Sequence, residues 1–443
     1  MIKKLYTERD LLFAISNQVI LSFDIVGCES VENIKTSIDY AVNRFEILRS
    51  RVLQDTDGET YYVLRENRCE PDIDVRNYHV EFEDMIKEQE KIPFNPGEGR
   101  MIRFVIEKIQ DKINLSIIEA HVAGDGKSLL ILMREILNNL SEIEQGVFSY
   151  TDKPMIPLKL LSKDELSKDV QVNDLIKCSF EEYNRSWEDE KRVITYEDFV
   201  KVYNQYWANH ETNVKTVNIK KEILDELIIS SRENQVSINS VILTAAAKEL
   251  VDPSKMIVVA DARPKDVNGM GNYFGGVQIE SLYDLDKTFW ENARYIHNQL
   301  HMQLTNRNAT LIGRVFTTLL DCNLQNAILL NESGCYECKT AKAYNDIYSI
   351  EKNNISLAVS NLGSNSMTSK FGNIEVKDAK FFSPLRPGAD GIMAILTVNG
   401  EMNITLGYNK DRDIDYEKLI SGIEEQLVEL VGDKESSYLY QLL

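Results

Sequence analysis

The hydrophobic positions along this chain follow two periods in turn, and their order gives a first outline of the molecule. From Gln18 to Val26 the apolar residues Val19, Leu21, Phe23 and Ile25 fall at every second position, with Ser22 and Asp24 between them. That is the period of a strand with one face in a core. The period then lengthens. Val31, Ile34, Ile38, Ala41 and Phe45 recur at helical spacing behind Ser30, a residue suited to cap a helix start, so an amphipathic helix is expected to lie on the sheet. Further strands are predicted at Glu59 to Leu64, Met101 to Glu107 and Ile113 to Ala120, the last two joined by the turn Gln110-Asp111-Lys112. A helix over Phe82 to Lys91 precedes the break Asn95-Pro96-Gly97, and a strongly apolar helix runs from Ser128 to Leu140. From Ser141 to Thr195 the chain turns to Lys, Asp, Glu and Ser with Pro154 and Pro157, the composition of a surface crossover.

The second half repeats the alternation. A strand over Val214 to Ile219 leads to helices at Lys221 to Asn234 and Ser237 to Leu250, then to a short buried strand, Ile257 to Ala260, and a Gly/Asn-rich stretch, Asn268 to Gly276. Helical patterns follow at Lys287 to Leu304 and Leu311 to Leu330. Strands are predicted at Ile355 to Ser360, Gly372 to Phe382, Ile392 to Val398 and Met402 to Tyr408, with Asn399-Gly400 as a two-residue hairpin turn. The helix Tyr416 to Val431 closes the pattern. The expected organisation is an α/β protein of mixed sheets, with an N-terminal lobe over residues 1–150, a crossover over 151–195 and a C-terminal lobe over 196–443.

Composition narrows the function classes. The 443 residues are 43 % hydrophobic and 27 % charged, as in ordinary globular proteins, and carry a formal charge of −20. With no basic patch in the sequence, phosphate backbones are repelled and nucleic-acid binding is not expected. No apolar run approaches the ~18 residues of a membrane-spanning helix, and Glu8, Arg9 and Asp10 interrupt anything that could imitate a signal region. A cytoplasmic protein with reduced thiols is expected. The six cysteines are scattered at Cys28, Cys69, Cys178, Cys322, Cys335 and Cys338. Cys335 and Cys338 form a C-x-x-C pair with Cys322 upstream, but no local His supplies a fourth ligand, so no metal site is expected there. His297 and His301 stand four apart on a helix without the Glu of a metalloprotease motif and read as solvated side chains.

One segment carries chemistry: Ile118-Glu119-Ala120-His121-Val122-Ala123-Gly124-Asp125-Gly126-Lys127-Ser128. A buried strand delivers His121 to a tight turn in which Gly124 and Gly126 are expected to bend the backbone, and Asp125 stands where it can cap the following helix. An imidazole at a strand end can accept the proton that an alcohol or amine loses during acyl transfer. A packed core histidine beside a helix cap fits the same local pattern.

His121-x-x-x-Asp125-Gly126 resembles the signature of the chloramphenicol-acetyltransferase-like superfamily, which includes the BAHD acyltransferases, condensation domains and polyketide-associated acyltransferases. The similarity extends along the chain: Ile2-Lys3-Lys4-Leu5 with Leu11-Leu12-Phe13, Arg44-Phe45-Glu46-Ile47-Leu48-Arg49, Phe94-Asn95 through Gly99-Arg100-Met101-Ile102-Arg103, Asp261-Ala262-Arg263-Pro264, Gly271-Asn272-Tyr273-Phe274-Gly275 and Ser360-Asn361-Leu362-Gly363. The resemblance implies two similar lobes meeting at an active-site tunnel, with His121 as general base and Gly126 passing close to substrate. It also implies that Asp125 points away from substrate to pair with Arg263. Ser360, Asn361 and Asn272 are the substrate-facing or oxyanion candidates. The expected activity is that of a stand-alone acyltransferase. It would move an acyl group from a thioester to a small hydroxyl or amine acceptor without a covalent acyl-enzyme and without a bound cofactor or metal.

Departures from the family pattern shape that expectation. Ala120 stands where condensation domains carry a second His, and Lys370-Phe371-Gly372-Asn373 stands where BAHD enzymes carry D-F-G-W-G. No segment resembles a carrier domain, so the donor thioester comes from outside, as acyl-CoA or on a separate carrier protein. The acidic surface favours acyl-CoA. A condensation-type enzyme using carrier-bound substrates and an idle binding module of the same fold are the alternatives.

Overall fold

In the computed structural model, residues 2–441 are described except 29, 251–253, 349–354, 364–366 and 410–413. Two six-stranded sheets dominate. The first runs, in spatial order, Lys370–Phe371, Ile374–Phe382, Gln18–Val26, Lys112–Ala120, Ile102–Ile109 and Asp72–Arg76. The second runs Phe274–Glu280, Lys255–Asp261, Ile355–Asn361, Gly391–Val398, Glu401–Tyr408 and Asn213–Ile219. Both are mixed: Asp72–Arg76 pairs parallel in the first, and Ile355–Asn361 is parallel to both its neighbours in the second. The expected two-lobed α/β architecture of mixed sheets is the one observed.

The alternating pattern at Gln18–Val26 becomes a central strand whose Val19, Leu21, Phe23 and Ile25 are fully buried, and the helix Val31–Val42 starts at Ser30, whose side chain accepts the Asn33 amide. The two-residue turn at Asn399-Gly400 has positive φ at both residues, 57° and 83°, the geometry of a tight hairpin. Strand Gly391–Val398 joins the two cores. All eight of its residues are buried, with Met393 and Ile395 in the core of the second sheet and Ala394, Leu396 and Val398 in that of the first. A continuous apolar run buried on both faces is what such a strand requires.

The structure departs from the sequence pattern where tertiary packing outweighs local signal. Strand Ile374–Phe382, late in the chain, pairs antiparallel with Gln18–Val26, so the first sheet draws on both halves of the sequence. The polar stretch expected to be a surface crossover contains helices Lys163–Asp169 and Asp174–Trp187, and Phe180 and Trp187 are each 1 % exposed in the first core. The Gly/Asn-rich stretch read as ending at Gly276 gives way at Phe274 to an edge strand, paired with Lys255–Asp261. The single helix expected over Leu311 to Leu330 is two, Arg307–Thr317 and Cys322–Glu332, the second capped by Asp321.

Candidate active site

The central strand Lys112–Ala120 ends at the site. Its last pair is Ala120 with Gln18, and the ladder continues one residue further as the His121 amide donates to the Asn17 carbonyl at 2.6 Å. The chain then turns through 121–125 into the helix Gly126–Glu144. The turn is held from several sides. Tyr62 donates its hydroxyl to the Val122 carbonyl at 2.6 Å, and the Asn272 side-chain amide donates to the carbonyls of His121 and Val122 at 2.6 and 3.2 Å.

His121 Nδ1 lies 2.9 Å from the Gly124 carbonyl oxygen. A carbonyl can only accept, so Nδ1 carries the proton and Nε2 keeps its lone pair. Burial pushes the His121 pKa below the usual imidazole value, against smaller raising effects from the Gly124 hydrogen bond and the Asp125 charge. At neutral pH the ring is a neutral base. The Phe274 ring lies beside it, 5.1 Å between centroids.

Asp125 faces away from the imidazole into a closed network. Its Oδ1 accepts from the Ser128 amide at 2.8 Å, the Ser128 hydroxyl at 2.9 Å and Arg263 Nη2 at 2.9 Å, while Oδ2 accepts from the Tyr273 amide at 2.9 Å. Both side chains of the Asp125–Arg263 pair are 7 % exposed, and the guanidinium also stacks over the Tyr273 ring at 4.4 Å. One carboxylate thereby caps the helix and ties it to the 263–273 segment of the other lobe. Gly124 and Gly126 serve by their lack of a side chain, and neither has a positive φ. A Cβ on Gly126 would lie 2.8 Å from Phe381 Cζ, and one on Gly124 would meet the Glu119 carboxyl at 2.8 Å. The expected sharp bend is therefore a matter of contact room.

A cavity of about 200 Å³ opens at the site between the lobes. Val19, His121, Gly126 and Phe381 line it from the first sheet and its helix, and Val259, Phe274, Ala358, Ser360 and Ile392 from the second. A second cavity of about 110 Å³, lined by Lys127, Asp261, Asn361 and Leu362 among others, shares Asp125, Gly126, Val259, Phe274 and Ser360 with it. Ser360 thus faces both. Asn361 faces only the second, and its amide is engaged with Asn239 at 3.0 Å while its carbonyl oxygen accepts the Gly363 amide at 2.8 Å. Asn272 is 1 % exposed, and its amide is committed to the carbonyls of the His121 turn rather than to the cavity.

Sequence reasoning missed three neighbours. Glu119 is fully buried under the turn, and among the described residues neither carboxyl oxygen has a hydrogen-bond partner. Burial, with the Asp125 charge, raises its pKa well above the usual carboxylate value. Arg314 donates to the carbonyls of Asn272 and Phe274 at 2.8 and 3.1 Å and to the Thr7 hydroxyl at 2.7 Å. Phe381 fills the space that Gly126 vacates. Only Glu119 carried a sequence signal, a charged residue in a strand apolar on both sides. His297 shares a hydrogen bond with Ser240 at 3.0 Å, and among the described residues no three His, Cys, Asp or Glu side chains are grouped to hold a metal ion.

The fold has counterparts among solved structures. A family model described as the WS/DGAT C-terminal domain matches residues 326–431. Among solved structures, polyketide synthase associated protein 5 from Mycobacterium tuberculosis is 13 % identical with a TM-score of 0.63, covering 98 % of each chain. The first condensation domain of the CDA synthetase is 10 % identical with a TM-score of 0.65, covering 97 % of this chain and 96 % of the other. The epimerization domain from the third module of tyrocidine synthetase B is 12 % identical with a TM-score of 0.63, covering 97 % and 93 %. A comparison with curated protein sequences finds no match. The chain has the two-lobed fold of these condensation-type structures, and residues 326–431 match the WS/DGAT C-terminal domain. An epimerization domain on the same fold means that the reaction must be argued from the site.

Proposed function

We propose that this protein is an acyltransferase that moves an acyl group from a thioester, acyl-CoA in preference to a carrier-bound one, to a hydroxyl or amine acceptor. The observation that carries this reading is the tautomer of His121: Nδ1 is committed to the Gly124 carbonyl, leaving a neutral, basic Nε2 on a side chain that lines the cavity between the lobes. The acceptor's O–H or N–H donates to Nε2 as its heavy atom attacks the thioester carbonyl. Ser360, which lines both cavities, is the residue best situated to donate to the developing oxyanion. As the C–S bond breaks, the imidazolium returns the proton to the leaving thiolate. Asp125 and Arg263 hold the turn and take no part in the chemistry.

The second and third readings are separated from this one by a single set of experiments. Purified protein is incubated with acyl-CoA or with an acyl-carrier protein, with and without acceptors, while thiol release is followed. Acceptor-dependent release from acyl-CoA, intersecting initial-rate lines and unmodified intact mass after donor alone are the expected results. Release only from the carrier supports a condensation-type enzyme. No release from either supports an idle binding module, and an acyl adduct that chases into product contradicts direct attack.

A further inference from the structure

The wall of the His121 cavity is apolar over most of its area, yet one side of it carries polar groups that the reaction does not use. That side is the segment from the short helix Arg9–Leu12 to Asn17. Asp10 and Ser16 both line the cavity, and Asp10 Oδ1 and Ser16 Oγ are buried without a hydrogen-bond partner among the described residues. Leaving buried polar atoms unsatisfied is costly, and side chains kept that way in a cavity are suited to a ligand that satisfies them.

The charges around Asp10 define what that ligand brings. Two cations act on it, Arg314 and Arg386, the second of which also lines the cavity, and both already have carboxylates of their own. Arg314 Nη2 is 3.4 Å from Glu8 Oε1, and Arg386 Nη2 is 2.6 and 2.7 Å from the two oxygens of Glu332. The adjacent Arg9 turns away to Glu59 at 3.1 Å and to the carbonyls of Gly58 and Cys322. Asp10 is then a third carboxylate beside two matched pairs, with no ion-pair partner among the described residues. Burial raises its pKa to about 6, against the lowering effect of the two arginines, so it is ionised at neutral pH.

We infer that Asp10 selects the acceptor, and that the site takes a short molecule with a second, positively charged amine whose ammonium sits on Asp10 and Ser16 while its nucleophilic hydroxyl or amine faces His121. Amino alcohols and diamines are the chemical class. The bond-making is unchanged: a C–O or C–N bond forms at the reacting end, the C–S bond breaks, one proton passes from acceptor to thiol, and the distal ammonium keeps its charge throughout. The inference rests on the acyl-transfer reading for the reacting end and on the Asp10 cavity for the charged end.

The test separates those two. Calorimetry without donor compares linear diamines with diols of matched length on wild type, Asp10→Asn and Asp10→Ser, with melting temperatures as a folding control. The expected result is a diamine at least about tenfold tighter than its diol in wild type, a difference that both variants abolish. In turnover, Asp10→Asn raises KM for amino alcohols more than it lowers kcat. Equal affinity for diamine and diol in wild type, retention of the preference in both variants, or loss of folding in both overturns the assignment. Diamine preference lost in the variants together with no thiol release from any donor upholds the charge recognition and overturns the acyl-transfer reading instead.

Discussion

Two local effects suit His121 to the proposed role of base: burial lowers its pKa below the ordinary imidazole value, and the Gly124 carbonyl fixes which nitrogen is free. The active, neutral form is populated above the lowered pKa, so kcat/KM is expected to rise with pH along a single ionisation whose midpoint lies below 6.5 and to be flat through neutrality. A rising limb centred above pH 7 would assign the base elsewhere. Glu119, two residues earlier, has its pKa pushed well above the ordinary carboxylate value by burial. Its folded pKa is raised, so the folded state binds the proton that the unfolded chain loses near pH 4.5, and folding stability falls as pH rises above that value. Glu119→Gln removes the dependence. The variant should match wild type in urea unfolding near pH 4 and gain on it with rising pH, by at most ~1.4 kcal/mol per unit. A difference that does not change with pH would mean that the carboxyl is ionised in the fold.

At the scale of elements, the site is a strand end and a helix start locked to a segment of the other lobe. Asp125 is the lock, since one carboxylate accepts from its own helix, from Arg263 and from the Tyr273 amide. Asp125→Ala leaves Arg263 buried without its carboxylate, and breaking one side of such a pair costs roughly 3–5 kcal/mol. A double-mutant cycle with Arg263→Gln should return a coupling of at least ~1 kcal/mol for groups in direct contact. Additive losses would show that the pair does not act as a unit. Much of this was legible in the sequence. Ser30 and Asp125 announce their helices by the chemistry of capping, and the period of Gln18–Val26 states its own burial. Other parts were not. Nothing local tells Asn272 from a substrate donor, because what decides it is the carbonyl of a residue 151 positions away. Arg314 looks like any charge on an amphipathic helix until the backbone of 272–274 folds over it. Helix Asp174–Trp187 lies in a polar stretch, and only the core it meets reveals why Phe180 and Trp187 are there.

Across the whole molecule, the two sheets are joined through a strand buried on both faces, Gly391–Val398, and by strand Ile374–Phe382, which crosses back to the first sheet. The cavity therefore has walls from both lobes, and no single lobe supplies His121, Phe381, Phe274 and Ser360 together. This architecture suits a reaction in which donor and acceptor are held together, and no covalent intermediate is needed when the protein supplies a base between them. The most direct test of that claim compares acceptor-dependent thiol release from acyl-CoA by wild type and His121→Ala, with circular dichroism and melting temperature as controls. The expected result is a folded variant whose release is lower by about 10²–10⁴-fold. A folded His121→Ala protein that turns over at the wild-type rate would contradict the account.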